Sequence, residues 1–292
     1  MIMLRKYSVV IATFLLAMTI SASVRSADFV VGSLNTLHLG WGSATNTTNK
    51  CTEIANLMGS VDILLLQEVM QLAVPCTNLG TGLGTDCSLT MLGKTSYKEA
   101  YCFVYKKSKM TFANCYYNAP TASFSRPPYA ILMAVKVGTT NKYVWFANIH
   151  SIFGKTVGPR QAEASAAGIF FQTLQNITCS PIAIPTNGFP VIIGGDWNLS
   201  VTSSNGSYTT GFSWADPTGN PATVPAACPA NAATSLTPAG APSSPYDHII
   251  ITGISLTGAN TCSIYPTTSA ARTTWRKTVS DHMAVYWEVD FK

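Results

Sequence analysis

The stretch "VIIGGDWNLS" at residues 191–200 decides how this chain folds. Its first half is a run of apolar, mostly β-branched residues, the pattern of a strand buried on both faces. Two glycines and then Asp-Trp-Asn end it. Successive strand residues point to opposite faces, so Asp196 and Asn198 project the same way around Trp197. Gly194 and Gly195 leave room for another group to come close to the backbone. A strand running into an Asx-type turn has the same look, because Asp and Asn favour turns through local hydrogen bonds. What the rest of the chain supplies decides between a turn and a site.

Strand-like runs recur on either side: "FVVGSLN" (29–35), "DILLLQEV" (62–69), "AYCFVYK" (100–106), "MTFANCYY" (110–117), "AILMAVKV" (130–137), "YVWFANIH" (143–150), "DHIIITGI" (247–254) and "HMAVYWEV" (282–289). Helical stretches fall between some of them. Residues 46–60 show an apolar periodicity that stops at Gly59, and residues 159–176 open with a proline at a first helical position. Strands mixed with helices and hairpins predict an α/β domain with mixed sheets, and more than one of them. Residues 201–246 are rich in Ser, Thr, Gly, Pro and Ala without periodicity. They read as a long surface excursion within one domain, since the strands on both sides belong to one core.

The chain has 292 residues, of which 47% are hydrophobic and only 11% charged, enough for one large core and too apolar for disorder. Its N-terminus stands apart. Arg5 and Lys6 precede the apolar run "VVIATFLLAMTI" (9–20), and the small residues of "SASVRSA" (21–27) follow. That layout predicts a secretory signal peptide over 1–27, a single catalytic domain over 28–292, and a secreted or periplasmic destination. The run is short for a membrane span, and no later stretch is long and apolar enough to be one. Removing 1–27 takes away Arg5, Lys6 and Arg25 and lowers the formal net charge from +5 to +2, little attraction for a polyanion.

Eight cysteines in an exported chain predict disulfides. No CxxC spacing points to zinc. "YCFVYKKSKMTFANCYY" (101–117) reads as a hairpin about Lys107-Ser108, in which Cys102 and Cys115 would face each other within bridging distance. Cys76 and Cys87 share one Gly- and Thr-rich loop and could close it.

Polar groups interrupt the apolar strands at their ends: Asn35, Gln67-Glu68, His150, Asp196 and Asn198, Asp247-His248 and Asp281-His282. Ionisable groups beside buried strands are costly unless they are paired or bind a metal. Asn, Asp and Glu oxygens suit a hard divalent cation such as Mg²⁺ or Ca²⁺. Two histidines with carboxylates to partner them suit proton transfer. His38 and His248 read as structural, and the pairs Tyr116-Tyr117 and Phe170-Phe171 as core.

The fragments "SLNT", "LLLQEV", "GGDWN" and "SDH", in that order, resemble the endonuclease/exonuclease/phosphatase superfamily. "LGKTSYKEAYCFVYKK" (92–107), "YYN", "SFSRPP" (123–128) and "ANIHS" (147–151) narrow the resemblance to the deoxyribonuclease I family. The resemblance implies a four-layered sandwich, two packed mixed β-sheets flanked by helices. It implies a secreted endonuclease that hydrolyses phosphodiester bonds of double-stranded DNA with Mg²⁺, or with Ca²⁺ or Mn²⁺. Asn35 and Glu68 would hold the ion, with Asp281 nearby. Asp196 and Asn198 would orient the phosphate and the attacking water. His282, held by Asp247, and His150, held by Glu99, would serve as base and acid, with Asp196 the alternative base. Tyr97 and Arg126 would touch the DNA backbone or minor groove.

This chain departs from the family at Met70 and Ala100, where basic residues are usual, so the expected grip on DNA is modest and eases gently with salt. Sequons stand at Asn46, Asn176, Asn198 and Asn205, the third within the expected site. The competing readings are a lipid-directed relative, sphingomyelinase or phosphoinositide phosphatase, and a toxin component or binding protein that keeps the fold without turnover.

Overall fold

The computed structural model describes residues 27–94, 97–201, 214–215, 221–222, 227–252 and 261–291. The expected signal peptide apart from Ala27, the Asn205 sequon and the last two residues of the 247–254 run lie outside them. The elements are β1 (Phe29–Leu39), α1 (Ala44–Leu57), β2 (Ile63–Val69), β3 (Leu83–Cys87), β4 (Ala100–Lys106), β5 (Met110–Asn118), β6 (Tyr129–Val137), β7 (Thr140–His150), α2 (Gly158–Asn176), β8 (Val191–Asp196), β9 (Trp214–Ala215), β10 (Pro221–Ala222), β11 (Ala227–Cys228), β12 (Asp247–Thr252), β13 (Cys262–Tyr265), α3 (Ser269–Thr278) and β14 (Ala284–Val289).

Two six-stranded sheets form, in the orders β13-β14-β1-β2-β4-β3 and β11-β12-β8-β7-β6-β5, and β9 pairs with β10 alone. Each large sheet has one parallel pair at its heart, β1 with β2 and β7 with β8, among antiparallel neighbours. Alternation along the strands explains the layers. Phe29, Val31, Ile63, Leu65 and Phe103 of the first sheet meet Ile131, Met133, Phe146, Ile192 and Ile249 of the second in one buried cluster. The residues between them turn outward: Leu64, Leu66 and Val104 pack with Ile54 of α1 and Trp275 of α3, while Trp145, Ile193 and Ile250 pack with Phe170 and Leu174 of α2. A strand covered on both faces must be apolar throughout, which is why "ILLL" and "VII" run unbroken. The result is the expected sandwich of two mixed sheets between helices.

The paired glycines of β8 do admit close neighbours. A Cβ on Gly195 would lie 1.9 Å from the Ile149 carbonyl oxygen of β7, and one on Gly194 would press on Leu65 and Ser33 of the facing sheet.

The cysteine pairing differs from both expectations. Cys51–Cys76, Cys87–Cys102, Cys115–Cys179 and Cys228–Cys262 are bonded. The chain does turn at Lys107-Ser108, but β4 joins β2 and β3 in one sheet while β5 joins β6 in the other. Cys102 and Cys115 therefore sit in different layers, and no hairpin sets them opposite each other. Cys87 instead stands across the ladder from Cys102, so it is not free for Cys76. Cys115–Cys179 spans a sequence separation of 64 and should be worth about 4 kcal/mol by loop-closure entropy. Replacing both cysteines by serine should lower the denaturation midpoint accordingly, and peptide mapping without reduction should recover the 115–179 link.

The excursion after β8 is not all surface. Ala227–Cys228 adds an edge strand to β12, and Thr234 and Leu236 are buried. The helix Ser269–Thr278, missed in the sequence, buries Trp275 and starts with the Thr268 hydroxyl accepting from the Ala271 amide. Of the aromatic pairs, Phe170 and Phe171 are core, but Tyr116 stacks on Tyr129 with its outer face in water.

Candidate active site

The two parallel pairs end at the same edge of the sandwich. Asn35 lies in β1 and Glu68 in β2 near their C-terminal ends; His150 ends β7 and Asp196 ends β8. Antiparallel partners start there: Glu99 just before β4, Asp247 at the head of β12, and Asp281-His282 just before β14. The register puts His150, Asp196 and Asp247 on one rung of three adjacent strands. Burial of each leucine or isoleucine along these strands is worth about 1.5–3 kcal/mol, which offsets the cost of holding a charged cluster at their ends.

Asp196 is the hub. Its Oδ2 lies 3.6 Å from His150 Nε2 and 3.5 Å from His282 Nε2. Each imidazole is backed by its own carboxylate: His150 Nδ1 is 2.9 Å from both Glu99 oxygens, and His282 Nδ1 is 2.8 Å from Asp247 Oδ2. Asp247 is itself fixed by its amide donating to Thr234 Oγ1, and His282 by its amide donating to Ser280 Oγ.

The two imidazoles are in unlike electrostatic surroundings. Burial and the nearby Arg126 push the His150 imidazole down, and burial lifts the Glu99 carboxyl despite Arg126. Burial therefore works against charge on both members of the pair, and a hydrogen lies between Nδ1 and Glu99. With that hydrogen on Glu99 and donated to Nδ1, the ring hydrogen sits on Nε2, aimed at Asp196. Burial also pulls on His282, but Asp247, Asp196 and Asp281 outweigh it and hold the ring well above the usual histidine range.

Asn35 donates from Nδ2 to Glu68 Oε1 at 3.0 Å and to Asp196 Oδ2 at 3.1 Å, while its Oδ1 accepts from the Leu37 amide. Two carboxylates thus converge on one small group. Their convergence, with Asp281 lining the same cleft, is an all-oxygen set that fits a hard dication. Asp196, Asp247 and His282 form a second close set, with atoms within 4.8 Å of one another, and Asp247 Oδ1 has no hydrogen-bond donor among the described residues. There, however, the hydrogen between His282 Nδ1 and Asp247 already occupies the space between two of the three groups.

Leu37, His38, Glu68 and Asn198 all have left-handed backbones, with φ from 47° to 63°. Such conformations cost free energy in non-glycine residues and persist where surrounding contacts impose them. The buried Lys50 of α1 imposes the first two, its ammonium donating to the carbonyls of Thr36 and Leu37. Burial lowers that amine to about 8 against the pull of Glu68 and Asp281. His38 belongs to the cleft, contrary to the structural reading of the sequence. Its amide and its Nε2 both lie 3.1 Å from Glu68 Oε2. His248 is a buried structural residue, its ring against the carbonyls of Pro229, Leu199 and Pro245.

Tyr97 hydrogen-bonds Glu68 and lies under the Arg126 guanidinium, 6.0 Å from ring to carbon. Arg126 donates to the carbonyls of His150 (3.0 Å) and Ser151 (2.6 Å). Asn198 donates from Nδ2 to Ser151 O, and its buried amide is closed to a glycan. Met70 and Ala100 are buried and neither lines the cleft. Sequence reading also missed the brace beneath: Gln67 Nε2 to Asn148 Oδ1 at 2.6 Å, with Asn148 Nδ2 donating to the carbonyls of Leu66 and Cys102 across the sheets. Glu68, Tyr97, Arg126, His150, Asp196 and His282 are among the residues that line a cleft of about 550 Å³.

No protein-family model and no curated protein matches the chain. Solved structures do. An endonuclease/exonuclease/phosphatase family protein from Bacteroides thetaiotaomicron superposes with a TM-score of 0.53 at 16% identity, over 90% of this chain and 95% of its own. The fold is that of the endonuclease/exonuclease/phosphatase proteins. D. rerio TDP2 complexed with a single-strand DNA product matches with a TM-score of 0.52 at 13% identity, over 89% of this chain and 97% of its own. A mannosyl-6-phosphatase of Bacteroides thetaiotaomicron matches with a TM-score of 0.54 at 17% identity, over 90% and 100%. One fold thus serves both a DNA-bound protein and a sugar phosphatase, and residues of the cleft must decide for this chain.

Proposed function

We propose that this protein is a secreted, divalent-metal-dependent endonuclease that hydrolyses phosphodiester bonds of DNA, with the duplex as its substrate. The observation that carries a phosphoester hydrolysis is the placement of Asp196 between two imidazoles, each backed by a carboxylate. The reading of export is supported by the signal-like N-terminus and four disulfides; no described helix is long and apolar enough to cross a membrane.

Glu68 and Asp196, with Asn35 and Asp281 beside them, would hold the ion. Bound there, a dication would supply charge to a phosphate oxygen, offset the charge that builds on it, and disfavour the proton on His282. The chain's own groups do the rest. His282, once neutral, takes a proton from water, and Asp196 orients that water. Asp247 then stabilises the imidazolium. His150 gives its Nε2 hydrogen to the leaving oxygen, and Glu99 makes good that proton through Nδ1. Arg126, Asn198 and Tyr97 steady the phosphate and its sugar.

DNA is favoured over lipid by the "YKEAYCFVYK" stretch, which sets Tyr97 in the cleft and Glu99 behind His150, and by the Arg126 guanidinium that lines it. The test is a panel in Mg²⁺: plasmid DNA, sphingomyelin, a phosphoinositide and a sugar phosphate monoester. Cleavage of the plasmid with the others untouched is expected. Efficient lipid hydrolysis with intact DNA would overturn the reading in favour of the lipid-directed relative.

A further inference from the structure

Helix α2 carries a buried carboxylate that the chemistry above does not use. Glu163 faces inward among alanines, phenylalanines and Leu174, and both its oxygens accept backbone amides from outside the helix. Oε1 takes the Ser125 amide at 2.6 Å, and Oε2 takes the Ile152 amide at 2.7 Å. Ser125 immediately precedes Arg126. Ile152 immediately follows Ser151, whose carbonyl accepts from Arg126 Nη2 and from Asn198 Nδ2. One carboxylate therefore ties together the two segments between which the guanidinium is clamped. One turn earlier on the helix, Arg160 donates to the Asn198 carbonyl at 2.7 Å.

We propose that Glu163 is a positioning residue that sets the affinity of the cleft for a substrate phosphate by presenting Arg126. The proposal rests on the phosphoesterase reading of the cleft. A buried carboxylate is costly unless donors satisfy it, and here the donors belong to the segments that carry the phosphate-facing groups. Arg126 has five N–H donors; those at Nε and one at Nη2 go to the His150 and Ser151 carbonyls, with Glu99 Oε2 4.0 Å from Nε, and no hydrogen-bond acceptor among the described residues takes the others, which can serve an anion. If either segment drifts, the guanidinium must be ordered again at each binding event, and the loss appears in binding before it appears in chemistry.

The experiment is a double-mutant cycle of Glu163→Gln with Arg126→Ala. It is read as KM and kcat on plasmid DNA and, independently of turnover, as the Kd for inorganic phosphate by calorimetry. The glutamine amide end cannot accept an N–H, so one of the two segments is released. Glu163→Gln alone should raise KM and the phosphate Kd about 10-fold with kcat held within about 3-fold. In the Arg126→Ala background the same change should add less than about 2-fold. Equal losses in both backgrounds, or a fall in kcat alone, would mean that Glu163 only braces the fold, and the proposal fails. Should Glu163→Gln not fold, Glu163→Asp, which keeps both acceptors on a shorter arm, runs the same cycle. A wild-type protein that binds phosphate through Arg126 but leaves DNA uncut would refute the DNA reading and leave this coupling to be decided by calorimetry.

Discussion

His282→Ala should lower turnover on DNA by about 10²–10⁴-fold and leave the fold intact, because it removes the group that accepts the proton of water. The ring bonds to Asp247 and faces Asp196, while the chain around it is held by other atoms: Trp275 Nε1 donates to the His282 carbonyl, and the His282 amide donates to Ser280. Circular dichroism and the unfolding temperature should therefore match the wild type. His150→Ala should lose a similar factor through the leaving group. Asp247→Asn should lose less and should also move the acid limb of the pH–rate profile to lower pH. The sign follows from the charges: Asp247 raises the His282 ring, so removing it lets the ring lose its proton in more acid solution. Near-wild-type rates in both alanine variants would end the acid–base scheme.

Glu68→Ala should need a far higher metal concentration to reach half-maximal activity, about 10–100-fold more, and chelation should abolish activity in both proteins. Glu68 is the point at which several supports meet. Asn35, His38 and Tyr97 all hydrogen-bond its carboxylate, and its own backbone is left-handed. Isothermal titration with Mg²⁺ checks the binding loss directly, without substrate. Cleavage undiminished by EDTA would remove the metal from the account.

Much of this arrangement was legible in the sequence, for a physical reason. Strands buried on both faces cannot hide a carboxylate or an imidazole, so Glu68, His150 and Asp196 stand out at the ends of apolar runs. The pairings His150 with Glu99 and His282 with Asp247 came from the resemblance, since nothing in spacing alone brings residues 51 and 35 apart in sequence together. Cys102 and Cys115 show where local reasoning fails. A turn between two strands looks the same whether it closes a hairpin or carries the chain from one sheet to the other, and only the neighbours of β4 and β5 distinguish the two. Lys50, His38 and Glu163 were invisible for another reason. Each acts on backbone or carboxylate groups supplied by a different segment; a lysine or glutamate on a mixed helix reads as solvated surface, and a histidine with no visible partner, such as His38, reads as structural. Helix α3 escaped because one tryptophan is its only buried side chain.

The most direct test of the central claim, that Asp196 and its two flanking imidazoles form a metal-assisted phosphodiester-cleaving centre, is plasmid nicking by the disulfide-bonded protein. It is measured in Mg²⁺, in EDTA, and in Mg²⁺ with His282→Ala. The account predicts conversion of supercoiled plasmid to nicked and linear forms in the first, and almost none in the other two. Equal cleavage in all three, or none in Mg²⁺ from protein that is folded and disulfide-bonded, would contradict it.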